Sequence, residues 1–257
     1  MDELGKLIRG EMGRDIVSLG VVDSTNSFAM ELAYKGALHG TVVIADSQTK
    51  GRGQKGRTWI SPSGGNIYMS VILTPPMELK EATLLTIMGG VACCNALRNT
   101  TGLPVEIKWP NDLMVSHKKL GGILTEIKSV GDKIVYAVMG IGINVTAALE
   151  DFPPEVRTIA TSVRNEMGGP WSINLLMAEI LNRLDHWYCI LAQEGKDTLL
   201  NEWRRLTSMM GRPVQITVGK EMIKGLAHDI DDKGRLIISL PSGVLRRISF
   251  GDLVVLR

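Results

Sequence analysis

Long apolar runs are missing from this sequence. Its most apolar helical stretch, Leu84 to Leu97, is shorter than the about 20 residues a bilayer needs and is interrupted by Gly89 and Gly90. The first residues carry charge and no apolar core, so they do not read as a secretory signal. Cysteine is scarce. The three residues, with Cys93 and Cys94 adjacent, make neither a disulfide framework nor a zinc spacing. A cytoplasmic chain with reduced thiols is the expectation. The four histidines, at 39, 117, 186 and 228, show no metal-ligand spacing. No Ser–His–Asp set and no catalytic pair of carboxylates stands out. Asp and Glu are absent from Ser47 to Met77, while Lys50, Arg52, Lys55 and Arg57 fall inside that gap. Such a stretch attracts something anionic, although the whole chain carries a net charge of only +2.

What is present is the composition of a soluble globular protein, 44% apolar and 22% charged. The 257 residues suffice for one large and one small domain. Asp23-Ser24-Thr25-Asn26 precedes a helical pattern that runs to Gly36. Val42 to Ala45 and Ile67 to Leu73 read as strands. Lys80 to Thr100 reads as a helix with a weak point at Gly89-Gly90. Val105 to Trp109 is a strand stopped by Pro110. Leu120 to Ile127 and Lys133 to Val145 read as paired strands, with a loop over 146–160. Ser172 caps a long amphipathic helix, and a second runs from Asp197 to Met209. After Gly211 the pattern turns to about five short strands with barrel-like spacing. The expected domains are 1–209 and 210–257.

Four motifs suggest chemistry, each with a plainer alternative. Gly51-Arg52-Gly53-Gln54-Lys55-Gly56-Arg57 suits an anion cradle or a solvated basic hairpin. It has neither the P-loop ending nor a dinucleotide-binding glycine spacing. Lys108-Trp109-Pro110-Asn111-Asp112 sits at a strand's C-terminal end, where α/β sheets hold ligands; an ordinary Asn-Asp turn is the alternative. Lys119 opens the strand Leu120-Gly121-Gly122-Ile123-Leu124 and either reaches inward as a point charge or stays on the surface. Gly140, Gly142 and Asn144 share one strand face. That face is a bare floor for a flat ligand, or a place where a helix packs closely. Ser24-Thr25-Asn26 is a helix cap or a set of ligand hydrogen-bonders, and Gln48 stands beside it.

In this order and spacing, with Ala160-Thr161-Ser162 and the small β-unit, the motifs resemble the biotin–protein ligase family. The likeness covers about residues 20–257. It implies an α+β catalytic domain with a mixed sheet, followed by an SH3-like barrel. It implies biotin held by Ser24, Thr25, Asn26, Gln48, Gly51, Arg52, Gly53, Gln54, Lys119 and Gly122. It implies ATP served by Arg57, Trp59, Lys108, Asn111, Asp112 and Asn144, with Mg²⁺ carried by ATP near Asp112. Lys119, Asp112 and Arg52 are the implied catalytic groups. The implied reaction makes biotinyl-5'-AMP and transfers biotin to a lysine of a biotin carboxyl carrier protein. A homodimer without DNA or membrane partners is expected. Many members have Arg where Gln54 stands, so the loop here loses a charge. Only 22 residues precede Asp23, so a ligase without a repressor's winged helix is expected. Competing readings are a lipoate or octanoyl ligase, a nucleic-acid binder, and a catalytically inert biotin-binding module.

Overall fold

The computed structural model describes residues 2–256. In chain order, α1 (Asp2–Leu7), β1 (Ile16–Val22), α2 (Thr25–Tyr34), β2 (Val42–Gln48) and β3 (Ile67–Leu73) come first. Next are α3 (Thr83–Thr101), β4 (Glu106–Lys108), β5 (Asp112–Val115), β6 (Lys118–Val130) and β7 (Lys133–Ile143). The short α4 (Pro154–Arg157) and α5 (Val163–Met167) lead to α6 (Ile173–Gln193) and α7 (Lys196–Leu206). The chain closes with β8 (Pro213–Val218), β9 (Glu221–Ile230), β10 (Leu236–Ser239), β11 (Leu245–Ile248) and β12 (Asp252–Val255). Among the described residues no helix is long and apolar enough to cross a membrane.

The first seven strands form one sheet in the order β1-β2-β3-β7-β6-β5-β4. Only β1 and β2 run parallel, so the sheet is mixed as expected. Alternation along β3 splits its side chains between two layers. Ile67, Met69, Val71 and Leu73 face the main core with α3 and α6, while Ile72 packs with Ala29 and Ala33 of α2. The sheet is therefore covered by α3 and α6 on one face and by α2 on the other.

Two expectations need correction. Gly89-Gly90 does not interrupt α3, which is continuous from Thr83 to Thr101. A Cβ on Gly89 would lie 2.6 Å from the Met139 sulfur, so the missing side chain lets helix and sheet approach closely. Asp112 does not sit in a turn; it starts β5, which pairs with both β4 and β6. Neither β1 nor β5 was apparent from the sequence pattern.

Five antiparallel strands, in the order β11-β10-β9-β8-β12, make the second sheet. Its Val214, Ile216, Ile223 and Ile238 belong to the same buried cluster as α3 and α6. The indole of Trp109, itself fully buried, donates to the carbonyl of Gly234 across the join.

Candidate active site

Strand register builds the floor of the cleft. Tyr68 pairs with Gly142, Gly142 with Gly122, Gly122 with Asp112, and Asp112 with Lys108. Paired residues point to the same face, so one row crosses β3, β7, β6, β5 and β4. This row lines a cavity of about 470 Å³, a size within the range of small-molecule sites.

Lys119 joins that row through an irregularity. The register of β5 and β6 shifts so that Met114 pairs with Lys119, leaving Leu120 as the extra residue. Strict alternation would aim Lys119 away from the Gly122 face. The bulge turns it back, and its side chain lies over Gly122, whose missing Cβ would be 3.4 Å from the Lys119 Cε. The Lys119 Nζ is 2.5 Å from one Asp112 oxygen and the Lys108 Nζ is 3.3 Å from the other. Two cations thus bracket one carboxylate, and all three groups are largely shielded from solvent. The Lys119 ammonium also stands 5.5 Å from the Trp59 ring centroid. This end of the cleft is suited to neutralising an anion beside a flat apolar wall.

The other end is rich in hydroxyls and amides. Ser24, Thr25 and Asn26 are buried at the start of α2, where Ser24 caps the helix. Gln48 accepts from the Thr25 amide at 2.9 Å and from the Thr25 hydroxyl at 3.1 Å. Its own amide donates to Ser61. Ser70 lies 2.8 Å from the Thr25 hydroxyl and 2.6 Å from the Asn26 carbonyl oxygen. Tyr68 closes the wall. Burial pushes its phenol up to about 12, against the pull of the Asn66 hydrogen bond, so it stays neutral.

Residues 51–59 form a hydrogen-bonded hairpin, with Trp59 N donating to Gly51 O and Gly53 N to Arg57 O. Four carboxylate contacts hold it. Lys50 pairs with Asp23, Arg52 with Glu126 at 2.6 Å, and both Lys55 and Arg57 with Asp252 of β12. Gly53, Gln54, Arg57 and Trp59 line the cavity, as do Gly251 to Val254. Opposite them, Phe152, Val156 and Ile159 close the cleft from the 146–160 segment. That segment is attached to β6 by Lys119 N donating to Ile159 O and Thr161 N to Lys119 O.

The structure therefore brings most of the sequence-derived residues around one cavity: Ser24, Thr25, Asn26, Gln48, Arg52, Gly53, Gln54, Arg57, Trp59, Lys108, Asn111, Asp112, Lys119, Gly122 and Asn144. Gly51 is the exception. It is buried at the hairpin root, where a Cβ would lie 2.3 Å from the Trp59 carbonyl oxygen, and it is not part of the lining. The bare glycine floor is also corrected. The space above Gly140 is filled by the Asn26 amide, 2.1 Å from where a Cβ would sit, and that above Gly142 by the Trp59 indole at 2.7 Å. Asn111 and Asn144 donate their amides to Ile123 O and Thr161 O, leaving their carbonyl oxygens for other partners. Glu126, Ser70 and Asp252 escaped the sequence reading. Glu126 was accessible from alternation with Gly122 and Leu124; Asp252 had no local signal. Among the described residues no cluster of three His, Cys, Asp or Glu side chains is arranged to hold a metal.

Comparison with known proteins gives matches over both sheets. Residues 19–144 match the Biotin/lipoate A/B protein ligase family, and residues 210–256 match the Biotin protein ligase C terminal domain. The Bifunctional ligase/repressor BirA of Bacillus subtilis is 34% identical over 233 residues, covering 91% of this chain and 72% of that protein. The Biotin--[acetyl-CoA-carboxylase] ligase of Paracoccus denitrificans is 30% identical over 228 residues, covering 88% of this chain and 94% of that protein. Among solved structures, the biotin protein ligase from Aquifex aeolicus in complex with biotin and ATP superposes with a TM-score of 0.81 at 28% identity, covering 95% of this chain and all of that one.

Proposed function

The chain belongs to the biotin–protein ligase branch of the biotin/lipoate A/B protein ligase family, and on that premise we propose that its cleft converts biotin and ATP to biotinyl-5'-AMP and passes the biotinyl group to a lysine of a biotin carboxyl carrier domain. The observation that carries this reading is the polarity of the cavity. Hydroxyls and amides gather at one end, and Lys108, Asp112 and Lys119 at the other.

A ureido ring has two N–H donors and one carbonyl acceptor. The Thr25 hydroxyl hydrogen is directed to Gln48, so its oxygen keeps a lone pair for a ligand N–H. We assign the ring to Ser24, Thr25 and Gln48 on this ground. Asn26 is engaged by Ser70, Leu124 and Glu126, and its part is to shape that end. The valerate carboxylate then extends toward Lys119. There a carboxylate oxygen attacks the α-phosphorus of ATP, the bond to the β-phosphate oxygen breaks, and pyrophosphate leaves. Lys119, with Arg52 and Arg57 from the hairpin, offsets the repulsion between the two anions. Lys108, Asn111, Trp59 and Asn144 are assigned to the nucleotide. In the second step a neutral carrier lysine amine attacks the acyl carbon, the bond from that carbon to the phosphate oxygen breaks, and AMP departs while the amine's proton passes to the leaving phosphate or to solvent. Asp112 is assigned to positioning that amine.

Mg²⁺ fits as an ion that arrives with ATP. Magnesium is commonly held by one or two carboxylates plus phosphates, and Asp112, which lines the cavity between Lys108 and Lys119, would be the carboxylate to hold it there. It would supply further charge neutralisation on the phosphates. The adenylate is prone to hydrolysis, and the hairpin with the 146–160 segment is suited to excluding water.

A homodimer, a cytoplasmic setting and a ligase without DNA or membrane partners complete the reading. In support, the whole chain carries a net charge of only +2, and the cations Lys50, Arg52, Lys55 and Arg57 each stand beside a protein carboxylate. The test is streptavidin blotting of a carrier domain after incubation with this chain, ATP, Mg²⁺ and biotin. Labelling that requires all components is expected. Modification with lipoate in place of biotin, and none with biotin, overturns the proposal.

A further inference from the structure

We propose that Glu126 is a positioning residue that ties closure of the 51–59 hairpin to the hydroxyl-rich end of the cleft, an inference that rests on the ligase reading above. Register puts Glu126 opposite Val138 on the same face as Leu124 and Gly122, two residues beyond the cavity lining. A carboxylate there is unexpected, because its cross-strand partner Val138 packs with Ala29 and Ala33 of α2. Both of its oxygens are engaged from different elements. One accepts from the Arg52 guanidinium at 2.6 Å, and the other from the Asn26 amide at 2.9 Å. Glu126 is the more shielded partner, with 22% of its side chain exposed against 48% for Arg52. A charge-assisted bond in that setting holds the hairpin more firmly than a pair on the rim.

The bond is one link in a longer chain. From Arg52 it runs through Glu126 and Asn26 to the Ser70 hydroxyl, and from Thr25 through Gln48 and Ser61 to the carbonyl of Trp59, with Asn26 and Thr25 as alternative acceptors for the single Ser70 proton that joins the two parts. Arg52 and Trp59 lie on the two arms of the hairpin. The network therefore leaves one arm, passes behind the proposed ureido site, and returns to the other. A ligand hydrogen-bonded to Thr25 and Gln48 orders the middle of this network. Asn26 is then fixed with its amide toward Glu126, and Glu126 is aligned to hold Arg52. Occupancy of the ring site and closure of the hairpin are coupled through Glu126, which touches neither biotin nor ATP.

The test is the release rate of labelled biotinyl-adenylate from the whole chain after a single turnover. Glu126→Gln keeps the shape and one acceptor oxygen but removes the charge. Arg52→Gln removes the partner from a half-exposed arm, where folding is not at stake. Each is expected to release adenylate about tenfold faster, while adenylate formation falls less than release rises. The double variant should release no faster than the worse single one, since both act through one bond. Wild-type retention in Arg52→Gln, or effects that multiply in the double variant, overturns the proposal. If Glu126→Gln fails to fold, Glu126→Asp, which keeps the charge but shortens the reach to Arg52 and Asn26, decides: faster release is expected and wild-type retention overturns the proposal. A wild-type chain that forms no adenylate overturns the ligase reading and this inference with it, whereas variants that retain adenylate overturn only this inference.

Discussion

Gly142 has no side chain at the position where the Trp59 indole lies, and that pairing sets the shape of the cleft wall. A Cβ at Gly142 would fall 2.7 Å from the ring, and Trp59 cannot yield as a flexible chain end would. Gly142→Ala is therefore expected to cost about 1–3 kcal/mol of stability by overpacking and to weaken nucleotide binding more than biotin binding. Thermal unfolding and titration calorimetry read the two effects; an unchanged Tm with unchanged affinities would show that the indole moves freely. The identity of the important glycines was legible in the sequence, but what covers them was not. Gly140 and Gly142 read as a floor because alternation gives faces, whereas Asn26 and Trp59 reach them from 114 and 83 positions away in the chain. Lys119 was legible as a strand-opening lysine. The bulge at Leu120 that turns it into the cleft carries no sequence mark, because it arises from pairing with β5.

At the scale of elements, the strongly patterned pieces were readable and the short ones were not. Ile67 to Leu73 is a strand with those bounds, and Ser172 caps α6 by accepting from the Leu175 amide. β5 has four residues and depends on its neighbours on both sides, so no local periodicity announces it. The basic loop proves to be a hairpin held at its tip by Asp252 of the second sheet. The residues of that contact are separated by about 195 positions and had no counterpart in the local pattern. Exposed pairs of this kind contribute at most about 1 kcal/mol, so Asp252→Ala should leave global stability nearly unchanged. Local opening of the tip should rise several-fold. Limited trypsin digestion after Lys55 and Arg57 measures it. Faster cleavage than in the wild type is expected, with the difference shrinking at high salt. Equal cleavage at low salt would mean that the second sheet does not hold the hairpin.

For the molecule as a whole, two sheets share one apolar core and meet at a single cleft. β3 to β7 supply its floor, α2 its hydroxyl-rich end, the hairpin one wall, and β12 with the 146–160 segment its rim. Residue chemistry read alone led to an enzyme that binds two ligands and stabilises negative charge, and the joint motif pattern narrowed this to biotin. The central claim is that one cleft brings the biotin carboxylate and the α-phosphate together beside Lys119. Biotin-dependent formation of labelled adenylate from α-labelled ATP, compared between the wild type and Lys119→Ala, tests it most directly. The account predicts adenylate with biotin but not lipoate in the wild type, and a fall of at least about 100-fold in Lys119→Ala, the scale for removing one group that stabilises developing charge. Adenylate formed by Lys119→Ala at the wild-type rate would contradict it.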